Sequence, residues 1–145
     1  MSVPKPERNP SEADFLQVVR AIAHKTLDIA KQIPKTYTFD LRNPLVSCMW
    51  RCFELVRDGN GLYPTSYKEA EDRLLCFKRA KAKLYTLSGY LEVIEERASS
   101  NVSSSDLKEI SGLIGREIKL LIGIIESDKK RYQQRFGMVK QSTEE

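Results

Sequence analysis

The sequence predicts an all-α protein, an up-down-up-down four-helix bundle that assembles into an oligomer. Three observations lead there. Apolar residues recur at helical three-and-four spacing in four separate stretches, the links between them are short and polar, and two of the stretches are too apolar for one bundle to cover. No strand-like alternation, internal repeat or second domain interrupts the pattern. The expected organisation is an arm over residues 1–10, the bundle over residues 11–135 and a polar tail over residues 136–145.

The arm holds three prolines, two basic residues and one acid without periodicity. Ser11 followed by Asp14 then signals a helix start. Phe15, Val18, Val19, Ile22, Leu27, Ile29, Ala30 and Ile33 hold one stripe until Pro34, which predicts a first helix over about residues 12–33. Residues 35–42 form a connection whose Tyr37 and Phe39 are expected to fold back onto the core.

The second stretch, residues 43–56, is the most apolar. Leu45, Cys48, Cys52 and Leu55 share one helical face, and Val46, Met49, Trp50, Phe53 and Val56 make a second stripe beside it. Only Ser47, Arg51 and Glu54 interrupt the girdle, so the helix must be covered on most sides, by its own chain and by another copy of it. Trp50 is expected to be buried. Asn43 suits an N-cap and Pro44 the first helical position, whereas a start at Thr38 would place Pro44 inside the helix and kink it. Asp58-Gly59-Asn60-Gly61 is the expected stop, with glycine supplying left-handed backbone.

Ser66 with Glu69 makes a capping box for the third helix, where Ala70, Leu74, Phe77, Ala80, Leu84, Leu87, Leu91 and Ile94 run along one face. Arg73 falls inside that apolar stripe, so its charge needs a partner or a route to water. Residues 97–105 are a serine-rich link. Asp106 with Glu109 starts the fourth helix, whose Leu107, Ile110, Leu113, Ile114, Ile118, Leu121, Ile122, Ile124 and Ile125 are apolar on more than one face. Gly112, Gly115 and Gly123 each cost about 1 kcal/mol against alanine in a helix interior, which points to close approach by another helix. Val46, Trp50, Phe53, Gly115 and Gly123 are therefore the candidate oligomer contacts.

Net charge is +4 and the pI near 9.0, a mild basic bias that suits nucleic acid or another anionic partner. There is neither an apolar run of eighteen or more residues nor a basic-then-apolar leader, so no membrane contact is expected. Three cysteines inside helical patterns suit a reducing compartment, and the expected location is cytoplasmic. Cys48 and Cys52 stand four apart on one face, and a metal would need His24 or Cys76 to join them. Without a Cys-x-x-Cys or Glu-x-x-His pattern they read as core residues, with neither metal nor cofactor expected. His24 reads as an ordinary helix residue. The acids Glu69, Glu71 and Asp72 lie where the helix dipole favours negative charge. Neither a nucleophile elbow nor a phosphate loop is present, so no catalytic residue is assigned.

The basic run Lys78, Arg79, Lys81, Lys83 is the better functional candidate. At 100° per residue, Arg79 and Lys83 flank one edge of the third helix's apolar stripe, and Lys78 and Lys81 the other. A solvated helix face has the same composition. Lys129, Lys130, Arg131 and Arg135, interleaved with Tyr132 and Phe136, extend the basic set at the end of the fourth helix.

The segment Ile33-Pro34-Lys35 followed by Phe39 and Leu41, then an apolar second helix with a glycine turn, resembles the small bacterial four-helix-bundle proteins. These include the proteins encoded in intervening sequences of 23S ribosomal RNA genes and the accessory variability determinant (Avd) proteins of diversity-generating retroelements. Ile114-Gly115-Arg116, Gly123 and the basic third helix look like the Avd version. The residues after Pro44 depart from the small-residue pattern of the intervening-sequence branch. The resemblance spans about residues 21–129. It implies a non-enzymatic, homopentameric basic bundle that binds RNA or DNA and a retroelement reverse transcriptase. The alternative is an intervening-sequence-type interaction protein with another partner.

Overall fold

A computed structural model describes residues 10–137. The arm and tail expected at the two ends fall outside the described residues, apart from Pro10, Phe136 and Gly137. Four long helices, α1 (Pro10–Gln32), α2 (Asn43–Gly61), α3 (Tyr67–Ala98) and α4 (Ser104–Phe136), pack together, and among the described residues there is no strand. A short 3-10 turn (Lys35–Tyr37) and a π turn (Thr38–Arg42) join α1 to α2. None of these helices is long and apolar enough to cross a membrane.

Side-chain pairs fix the directions of the helices. Lys25 of α1 pairs with Asp106 and Asp14 with Arg116 of α4, so α1 and α4 run antiparallel. Cys48 and Cys52 of α2 donate to the carbonyls of Lys83 and Ala80 of α3, and Arg73 of α3 pairs with Asp128 of α4. Both of those pairs of helices are antiparallel as well. Each of α1 and α3 packs on both α2 and α4, which leaves α2 and α4 diagonal across the bundle.

The main core is a column of side chains from all four helices, and Ala70 and Tyr132 form a second, smaller cluster with Tyr67, Leu74 and Phe136 packed against it. Phe15 and Phe77 meet edge to face within the main column, ring centroids 5.7 Å apart. Fully burying one such ring contributes about 1.5–3 kcal/mol. Tyr37 packs against the column from the connection, as expected.

Local chemistry explains the helix ends. The Ser66 hydroxyl accepts from the Glu69 amide and caps α3. The Glu69 carboxylate reaches one residue further back than a capping box requires, accepting from both the amide and the hydroxyl of Thr65. Those bonds hold its carboxyl below the usual range. At the end of α4, Gly137 takes the left-handed conformation (φ 73°) and donates its N–H to the Gln133 carbonyl.

Several expectations are corrected. The path into α2 is already helical from Thr38, and Asn43 is no cap. The wide π turn, closed by the Asn43 N–H on the Thr38 carbonyl, carries the chain into the helix ahead of Pro44. At its other end α2 runs through the glycine segment to Gly61 and stops at extended Leu62, because Gly59 is helical and packs under Phe77. Phe39 is 83% exposed, since the π turn points it away from the core. Trp50 is 41% exposed in the single chain. Its stripe lies at the edge of the core, where it meets Phe53 edge to face with centroids 5.5 Å apart. The start of α4 is Ser104, with Ser103 as the cap that accepts from the Asp106 amide. Asp106 is not the starting residue because its carboxylate is engaged by Lys25 and Gln32 of α1. Among the described residues no helix approaches Gly112, Gly115 or Gly123, where an added Cβ would meet nothing within 4 Å.

Candidate nucleic-acid interface

The basic residues of α3 fall on two separate edges. Tyr67, Leu74, Lys78, Lys81 and Tyr85 follow one another at spacings of seven, four, three and four, which is one line along the helix. Tyr67 and Leu74 pack with Ala70, Tyr132 and Phe136, so this line faces the α4 side. Lys78 is exposed and Lys81 half-buried on it, with Tyr85 59% exposed beside them. On α4 itself, exposed Ile122 and Lys129 stand seven apart, on one line of that helix.

The opposite edge carries Asp72, Cys76, Arg79 and Lys83 at spacings of four, three and four. This one faces α2, because Lys83 lies close enough to the Cys48 thiol to draw its pKa down, against the larger upward push of burial. Asp58 of α2 and Asp72 act on the half-buried Cys76 thiol together with Arg79, and burial first and these acids next push that thiol up. Arg79 therefore sits among acids and adds less positive field than Lys78 or Lys81.

Lys129, Lys130, Arg131 and Arg135 are all exposed on the last turns of α4. Arg131 lies over the Tyr132 ring at 5.8 Å and Arg135 over Phe136 at 5.4 Å. Tyr132 and Phe136 stack on each other with centroids 5.8 Å apart, so the aromatic interleaving builds a platform under the cations. Because Arg73 and Ala70 of α3 lie level with Asp128 and Tyr132, this basic end adjoins the start of α3.

Arg73 has the partners its position demanded. Its Nε donates to Asp128 Oδ2 at 2.7 Å, its Nη1 donates to the carbonyls of Gly59 and Leu62 at 3.1 Å each, and its guanidinium lies 5.0 Å from the Phe77 centroid. It is a structural cation, spent on joining α2, α3 and α4.

The thiols are built into helix packing. Cys48 and Cys52 donate to backbone carbonyls at 3.6 Å, and burial pushes the Cys52 thiol up to about 12. His24 is exposed on α1. Among the described residues no group of three or more His, Cys, Asp or Glu side chains is placed to hold a metal.

Two buried acids escaped sequence reasoning. Glu117 and Asp128 lie on the α4 apolar stripe, three residues after Ile114 and Ile125 and four before Leu121 and Tyr132. That register was the available signal. The candidate oligomer contacts fall on two faces: Val46 and Phe53 half-buried with Trp50 exposed on α2, and Gly115 and Gly123 exposed on α4. Neither a family model, nor a curated protein, nor a solved structure matches the chain.

Proposed function

We propose that the protein is a non-enzymatic accessory factor of a diversity-generating retroelement, a homo-oligomer that binds RNA or DNA and a reverse transcriptase. The observation that carries the binding part is the line of Lys78, Lys81 and Tyr85 on the α4 side of α3, with the cation-on-aromatic end of α4 on the same bundle. Cations recruit phosphates without reading sequence, and exposed aromatic faces suit unpaired bases. The reverse transcriptase and the copy number of five rest on the family resemblance.

Geometry supports a ring. The apolar α2 face and the glycine face of α4 lie on diagonal helices, so they cannot meet within one chain. If the α2 face of one copy meets the α4 face of the next, the contact is head-to-tail, the kind that gives a cyclic oligomer when its rotation closes and an open filament when it does not. Trp50 is a large side chain and Gly115 and Gly123 lack any, which suits knob-and-groove contact. An intervening-sequence-type bundle with a different partner is the alternative. Co-purification with a retroelement reverse transcriptase, together with a gel shift on unstructured RNA, tests the proposal: both are expected, and RNA binding without the enzyme would favour the alternative.

A further inference from the structure

Glu117 sits at the middle of α4 with no exposed surface, and neither carboxyl oxygen has a hydrogen-bond partner. Among the described residues the only other buried side-chain polar atom so placed is Arg42 Nε, and that guanidinium is held through Nη2 by the Ile33 carbonyl. The charged and titratable groups linked to Glu117, directly or through neighbours, come from all four helices. From α1 comes Asp14, which turns to Arg116 at 3.6 Å. From α2 come Cys52, whose thiol feels the Glu117 carboxyl, and Cys48 next to it. From α3 comes Lys83, which acts on Cys48, and on α4 itself Arg116 draws the carboxyl pKa down by less than burial raises it. None of these groups bonds to Glu117.

A carboxylate in that place would be cut off from bulk solvent and have no protein donor, so the group stays a neutral acid until the solution is alkaline. Burial pushes its pKa up to about 8. The same stretch of α4 carries Gly112, Gly115 and Gly123 on its outer face, the residues least able to stiffen a helix. We propose that Glu117 is a proton-dependent latch: as a neutral acid it lies in the core, and on losing its proton it draws the middle of α4 toward water and opens the bundle beside Cys52.

The folded carboxyl is raised from the usual 4.5 to about 8, so the stability it lends is fully present below 4.5 and is lost as pH rises to 8. Above 8 the loss is complete. Between the two values this one group makes unfolding about tenfold more favourable per pH unit. Urea unfolding of wild type and Glu117→Gln across that range should give a ratio of unfolding constants that climbs about tenfold per unit and then levels. Parallel profiles would overturn the proposal. A carbon-13 titration of the wild-type glutamate carboxyls needs no variant: one glutamate should titrate far above the rest, and ordinary midpoints for all would overturn it too.

Alkylation of Cys52 at pH 9, read by peptide mass, separates opening from mere electrostatics. An ionised Glu117 in a closed bundle holds the Cys52 thiol protonated, making wild type slower than Glu117→Gln. Opening makes wild type faster, which is the expected result, and a slower wild type would overturn the latch.

Discussion

Arg73 and Asp128 form an ion pair in the core, Nε to Oδ2 at 2.7 Å, with both side chains buried. The pair joins α3 to α4, and the same guanidinium closes the end of α2 through the Gly59 and Leu62 carbonyls. Removing one partner strands a charge in the core. Asp128→Ala is therefore expected to cost about 3–5 kcal/mol in urea unfolding, whereas Arg73→Met combined with Asp128→Leu should cost far less. Equal losses for the single and double variants would show that the pair is not what holds this end together.

Glycines on opposite sides of the bundle should respond with opposite signs. A Cβ at Gly59 would lie 2.8 Å from Phe77 Cε1, so Gly59→Ala forces the buried ring to move and should cost about 1–3 kcal/mol. Gly115→Ala and Gly123→Ala meet nothing within 4 Å among the described residues, and each should stabilise the fold by about 0.5–1 kcal/mol. On the proposed ring contact, the same two variants should lower the assembled mass seen by light scattering.

Much of the fold was legible in the sequence because helix burial writes itself into three-and-four spacing. Phe77, Leu84 and Leu87 are core residues on that rule alone, and the demand for a partner at Arg73 followed from its place in the stripe. What escaped was whatever depends on a neighbouring helix. Gly59 looks like a stop in one dimension, and only the Phe77 ring above it makes it a helical contact. Trp50 belongs to an apolar stripe, yet its exposure depends on how wide a face α1 and α3 cover. On the candidate interface, the two-edge split of the basic run was readable from the helical period, but the acids near Arg79 come from α2 packing and were not.

Trp50 reports directly on assembly. It is exposed in one chain and covered in the proposed ring, so its emission should be blue-shifted at micromolar concentration and move toward that of free tryptophan on dilution. Trp50→Ala should shift the mass toward the monomer. Free-tryptophan emission at every concentration would place the α2 face in solvent.

The central claim is phosphate binding by the α4-side edge of α3, and the salt dependence of RNA affinity tests it most directly. Wild type, Lys78→Ala/Lys81→Ala and Arg79→Ala/Lys83→Ala would be titrated with unstructured RNA over a range of salt at constant oligomeric mass. Removing one lysine–phosphate interaction should flatten the slope of log K against log salt by about 0.7. The account predicts a steep slope for wild type, the larger flattening for the Lys78/Lys81 variant and the smaller for the Arg79/Lys83 variant, whose edge already holds Asp58 and Asp72. No binding by wild type at low salt, or unchanged slopes in both variants, would contradict it.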